Sequence, residues 1–162
     1  MDATTVAEIL AKPIAQELLF SDIPARLSYI GLDGDPRVVP VGFWWTGETF
    51  GIATVVRSAK VAALRKNPRV ALTIDRAGMP PRTLLVRGAA TIQIVDGVPE
   101  EYVTAARKIV PAEAMPSWEA GVRALYDEMA VITITPTWAK LLDFETTIPQ
   151  AVEDLIKEKS AG

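Results

Sequence analysis

The chain has 162 residues, an ordinary 49% apolar and 23% charged content, and neither histidine nor cysteine. That double absence excludes zinc sites built on Cys or His, disulfides, iron–sulfur ligation and every triad that needs imidazole or thiolate, so no metal site is expected. The net charge of -3 speaks against nucleic acid as a partner, and no apolar run of 18 or more residues is present to span a membrane.

The first twenty residues carry a helical pattern, Val6, Ile9 and Leu10, broken at Pro13 and resumed through Leu18 and Leu19. Ala25 to Ile30 alternates apolar and polar as a strand does, and the turn-rich Gly31 to Pro36 predicts a hairpin into a second strand, Arg37 to Trp45. Pro40 cannot donate to a ladder, which places that strand at an edge or a bulge. A turn at Thr46-Gly47-Glu48 leads to a third strand, Phe50 to Thr54. Ser58 to Asn67 reads as a short helix with Ser58 as its N-cap, followed by a strand from Arg69 to Asp75. After the break at Gly78 to Pro81, a long strand from Thr83 to Val95 places Leu84, Val86, Ala90, Ile92 and Ile94 on one face.

The character then changes. Pro99-Glu100-Glu101 opens a helix that Arg107 and Lys108 close. A second helix from Ser117 carries a stripe of Trp118, Val122, Leu125 and Met129, more in keeping with packing than with a cofactor box. Val131 to Thr135 is a strand, and Trp138 to Asp143 continues it or pairs beside it. A last amphipathic helix begins at Ile148-Pro149 and frays into Lys159 to Gly162. Five or six strands at hairpin spacing with short helices between them predict a mainly β, α+β fold, an antiparallel barrel with peripheral helices. No linker interrupts them, so one domain over 1–162 is expected. Asp2 stands where a signal peptide would carry Lys or Arg, which makes the cytoplasm the expected compartment.

Charge is segregated along the chain. Between Pro36 and Ile94 nine basic residues face only Glu48 and Asp75, a net +7, leaving -10 for the remainder. Within this stretch the Ser58 helix breaks the dipole rule: Arg57 and Lys60 flank its positive end, with no acid nearby. A ligand phosphate, held by the free N–H groups, Ser58, Lys60 and Thr54, resolves the conflict. The alternative is that both cations extend into water at a cost of a few tenths of a kcal/mol. In the second strand, Pro40 and Gly42 free backbone groups and let a planar ligand approach, although an ordinary edge strand has the same composition. Trp44 and Trp45 point to opposite faces, one to the core and one toward a ligand or a subunit interface.

The ordered segments Arg37-Val-Val-Pro-Val41, Gly51-Ile-Ala-Thr54, Ser58-Ala-Lys60, Asn67-Pro68, Ala71-Leu-Thr-Ile-Asp75 and Arg87-Gly88 resemble the pyridoxamine 5'-phosphate oxidase-like superfamily. Those are split β-barrel proteins that bind FMN or the deazaflavin coenzyme F-420. The resemblance covers about residues 25 to 95 and returns at Val131 to Asp143. It implies that Thr54, Ser58 and Lys60 hold the cofactor phosphate, with Arg57 adjacent, and that Arg37 also reaches the cofactor. The backbone of Val39, Pro40 and Val41 would then lie against the isoalloxazine edge. A homodimer with cofactor sites at its interface is implied as well.

The departure is at the C-terminus. True pyridoxamine 5'-phosphate oxidases carry an Arg-x-His substrate motif, which a chain without histidine lacks, and this argues against vitamin B6 oxidation. The expected function is a flavin- or deazaflavin-dependent oxidoreductase acting on a small organic substrate, with the cofactor carrying the redox chemistry. The alternative is a non-catalytic FMN-binding or storage module. No residue is assigned as catalytic; Tyr29, Tyr102 and Tyr126 are proton-donor candidates by elimination only.

Overall fold

Helix α1 (Ala3–Leu10) starts where Asp2 Oδ1 accepts from the Thr5 amide at 2.9 Å. Pro13 ends its run and opens α2 (Pro13–Leu19), with Leu10, Leu18 and Leu19 buried. The computed structural model describes residues 1–160; the fraying expected from Lys159 does not occur at Lys159 and Ser160, which are helical, and its remainder at Ala161 and Gly162 lies outside the described residues. The strands are β1 (Ala25–Ile30), β2 (Pro36–Val41), β3 (Trp44–Trp45), β4 (Phe50–Thr54), β5 (Arg69–Arg76), β6 (Arg82–Asp96) and β7 (Glu128–Leu142). Between them lie α3 (Ala59–Lys66), α4 (Glu100–Ala106) and α5 (Met115–Leu125), and α6 (Gln150–Ser160) follows β7. Among the described residues no helix is long and apolar enough to cross a membrane.

All seven strands form one antiparallel sheet in the order β2-β1-β5-β6-β7-β4-β3. The expected strand from Arg37 to Trp45 is therefore two strands, β2 pairing with β1 and β3 pairing with β4 at the opposite edge. Gly42 and Phe43 alone join them. Three Cα steps reach at most about 11 Å. The edges of a flat seven-stranded sheet lie roughly 29 Å apart at about 4.8 Å per strand. The sheet must therefore curl until its edges approach, which makes a barrel split between β2 and β3. Pro40 sits on the edge strand, as its missing N–H requires.

Inside the barrel Leu27, Phe50, Leu72, Leu84, Ile132 and Ile134 are fully buried. Each contributes about 1.5–3 kcal/mol by leaving water. β7 is one strand of 15 residues, not two. Its register against β6 slips between Arg87 and Gly88, with Arg87 opposite Trp138 and Gly88 opposite Pro136, so Thr137 is the extra residue of a bulge. Burial shows the consequence: Ile132 and Ile134 face inward before the bulge, Ala139 and Leu141 after it. A Cβ on the buried Gly88 would lie 2.4 Å from the Thr135 carbonyl oxygen.

A second cluster of Val98, Val103, Ala106, Met115 and Met129 holds α4 and α5 against the ends of β6 and β7. The stripe expected on α5 does not form as a single helical face. The helix begins at Met115, Leu125 is 69% exposed, and Met129 is buried as a strand residue of β7. After β7 the chain turns on Asp143, which is buried. Its carboxylate accepts from the amides of Glu145, Thr146 and Thr147 and from the Thr146 and Thr147 hydroxyls. Burial alone would raise its pKa, but the bonds from Thr146, Thr147 and Glu145 outweigh that and hold it far below the ordinary value. α6 buries none of its residues.

Two stability measurements check this account. Gly88→Ala should destabilise the fold by about 1–3 kcal/mol in denaturant unfolding, because the opposing atom is backbone and cannot rotate away. Asp143→Asn should cost about 2 kcal/mol at pH 7, since an amide oxygen replaces a charged acceptor. A depressed carboxylate pKa confers stability above the unfolded value of 3.8 and loses it as pH falls further, so the stability gap between the unaltered protein and this variant should narrow below that pH.

Candidate functional site

Curling the sheet brings the end of β2 beside β3, β4 and the start of α3. A cavity of about 290 Å³ lies at this seam. Its floor is Pro40, Val41 and Gly42 from β2 and Ile52, Ala53 and Thr54 from β4; Trp44 and Lys60 flank it. Trp44 can lie there because Gly51 has no side chain: a Cβ at Gly51 would come within 2.0 Å of the indole. Trp45, on the other face, is buried against Phe50 with ring centroids 4.8 Å apart. The aromatic pair thus divides its roles between core and cavity.

The remaining wall comes from the helical segment after β6. Tyr102, Ala105, Ala106 and Ile109 line the cavity at i, i+3, i+4 and i+7, one helical face. Trp118 of α5 completes it and stacks on Tyr102 at 5.7 Å and 30°. Burial, reinforced by Tyr126, raises the Tyr102 pKa, so its hydroxyl stays protonated at neutral pH. Sequence reasoning named Tyr102 only by elimination and read Trp118 as packing. The i, i+3, i+4, i+7 spacing was the available signal.

At the cationic end, Lys60 Nζ lies 3.4 Å from Thr54 Oγ1, and no carboxylate lies within 4 Å of it among the described residues. Burial lowers its pKa. Ser58 occupies the N-cap of α3, but its side chain makes no capping bond. The Ser58 hydroxyl oxygen is buried and has no hydrogen-bond partner. The first turn of α3 contains no acid, whereas Arg65 and Lys66 occupy the last turn, where cations suit the dipole. An orphaned hydroxyl, an unpaired half-buried ammonium and a helix N-terminus thus meet at one place. This donor set fits a phosphate.

The expected site residues do not all converge. Pro40, Val41, Thr54 and Lys60 line the cavity; Ser58 does not line it but caps α3 two residues before Lys60. Val39 packs on the barrel core instead. Arg37 is exposed and pairs with Asp33 across the hairpin, and Arg57 is exposed without a carboxylate partner among the described residues. The Asp35 amide and Arg37 together lower the Asp33 pKa.

Residues 12–143 match the family model described as pyridoxamine 5'-phosphate oxidase. An F420 reductase structure is 26% identical, with a TM-score of 0.61 over 77% of this chain and 94% of that one. General stress protein 26 of Bacillus anthracis shares the fold at 18% identity and a TM-score of 0.58, covering 85% of this chain and 94% of its own. The heme storage protein HutZ of Vibrio cholerae does so at 17% identity and a TM-score of 0.56, over 82% and 93% of the two chains. No curated protein matches the sequence significantly. With a family model matched from the second helix to the end of the last strand, and the split barrel beneath it, the chain belongs to the pyridoxamine 5'-phosphate oxidase family.

Proposed function

We propose that the protein is an oxidoreductase that uses FMN or the deazaflavin coenzyme F-420 on a small organic substrate. The observation that carries this reading is the buried, unpartnered Ser58 hydroxyl beside the unpaired Lys60. The 26% identity to an F420 reductase supports the redox class and the deazaflavin in particular. When bound, such a cofactor supplies hydride or electron transfer. The residues of the chain do the rest. Ser58, Lys60 and Thr54 hold the phosphate, and the half-buried position of Lys60 leaves its attraction to an anion less screened by water. Pro40, Val41 and Trp44 on one side and the α4 face on the other hold a planar ring and exclude water. Tyr102 keeps its proton at the cavity wall and is the proton-donor candidate among the lining residues.

Arg37 and Arg57 belong to this reading as field, not as lining: Arg37 must release Asp33 before it can reach a cofactor. The working unit is a homodimer. Exposed Val38, in the strand of Pro40, and Val55, next to Thr54, support a second copy closing over the cavity mouth.

Binding titrations with FMN and with F-420, followed by anaerobic reduction and turnover of a substrate panel, test the proposal. Lys60→Ala should weaken cofactor binding by about 1.5–3 kcal/mol, the worth of a hydrogen bond to a charged group. Affinity in the unaltered protein should fall with rising pH before the ordinary lysine value of 10.5 is reached, because Lys60 loses its proton early; the variant should lack that fall. A protein that binds neither cofactor overturns the proposal, and binding without any turnover moves it to a storage module. Light scattering should give twice the mass of 17.5 kDa.

A further inference from the structure

Six of the ten arginines, Arg26, Arg37, Arg76, Arg82, Arg107 and Arg123, pair with carboxylates. Of the other four, Arg57 and Arg65 are exposed around α3, whereas Arg69 and Arg87 share one groove on the outer face of the barrel. The groove is about 700 Å³ and has no lining residue in common with the Lys60 cavity. α3 runs between them: Lys60 is in its first turn and Asn67 caps its other end, roughly 10 Å away at 1.5 Å per residue.

Its base is a single row across four strands. Ser28, Ala71, Arg87 and Trp138 are successive register partners in β1, β5, β6 and β7. The Thr137 bulge is what turns Trp138 onto this face; without the extra residue the indole would point into the barrel. The Arg87 guanidinium carbon lies 4.4 Å from the Trp138 ring centroid, an arrangement that holds the planar fork in place. Arg69 stands opposite Ala89, which makes it the diagonal neighbour of Arg87 on the same face, about 7–8 Å away between Cα atoms. Asn67 Oδ1 accepts from the Arg69 amide at 3.2 Å and fixes the entry to the strand.

No carboxylate lines the groove. Two like charges at diagonal positions repel, and the chain places only Ser28, Ala71 and Ala89 between and beside them, leaving room above. We propose that this groove is a second binding site, for a ligand bearing two adjacent oxyanion groups, either phosphates or carboxylates. Each guanidinium takes one oxyanion through paired N–H donors, and Arg87 loses little freedom on binding because Trp138 already orients it.

The test is calorimetry at low ionic strength on the full chain carrying Lys60→Ala, so that the α3 phosphate site does not compete. Inorganic pyrophosphate and citrate are the probes. Saturable binding of one ligand per chain is expected; pyrophosphate alone would assign phosphates, citrate alone carboxylates. Adding Arg69→Ala and Arg87→Ala should weaken binding at least tenfold. Ala71→Glu, which keeps both arginines and Trp138, should do the same by supplying an internal carboxylate. Absence of saturable binding with either probe overturns the proposal, as does unchanged binding in the arginine variant. So does an arginine variant that turns a dimer into a monomer while binding the probes as before, since the pair would then be a subunit contact. Because Lys60 is already replaced, failure here leaves the cofactor reading standing, and failure of the cofactor reading leaves this one testable.

Discussion

The two residues between β2 and β3 constrain everything else in the molecule. Gly42 and Phe43 join strands that lie at opposite ends of a seven-stranded sheet, so the sheet has no flat solution. Phe43 is buried in the barrel core, its ring 5.6 Å from Phe50, and Gly42 is exposed at the cavity rim. The linker is thus a hydrophobic anchor preceded by a residue without bulk. The core pulls the seam inward while Gly42 keeps it open to a ligand. Closing the barrel and forming the cavity are one event, because the cavity is the gap left where the edges do not pair.

That geometry also explains how charge is distributed. A barrel has an apolar interior, so cations from the +7 stretch can go only to the outer face or to the seam. On the outer face three find carboxylates: Arg37 pairs with Asp33, and Arg76 and Arg82 share Glu17 of α2. Exposed pairs of this kind add little stability, typically about 0–1 kcal/mol. They do remove charge, however, and so isolate the cations left over. Lys60 at the seam, Arg57, Arg65 and Lys66 around α3, and the Arg69–Arg87 pair on the face are the cations of that stretch left without a carboxylate among the described residues.

Much of this was legible in the sequence where one local rule governs. β1 follows from its alternation, the break at Pro13 from the missing N–H, and the acid-free first turn of α3 from its own residues. The split of Arg37 to Trp45 was not legible, since the pattern is continuous and only the pairing partners, Leu27 for Val39 and Phe50 for Trp45, divide it. Arg37 illustrates the same limit: position in β2 does not reveal that Asp33, four residues back on the same hairpin, pairs with it. Val39 and Val41 both pack on the barrel core from alternate positions of β2, and Val41 also meets the cavity because it ends the strand beside Gly42. The α4 wall was periodic enough to be read, but periodicity does not say what a face is turned toward.

That wall belongs to a different packing unit from the floor. Ala106, Val103 and Met115 are buried with Met129 and Val98 in a cluster separate from the barrel interior, while Tyr102, Ala105 and Ile109 of the same segment meet the cavity. The two clusters are joined by β7, whose Met129 belongs to one and whose Ile132 belongs to the other. Most of the floor is therefore tied to the barrel, whereas the opposite wall, with Ala53 of the floor, packs on the smaller cluster. Within a family whose barrel is shared by proteins as differently named as a reductase and a heme storage protein, that wall is where differences in substrate can be built without disturbing the fold.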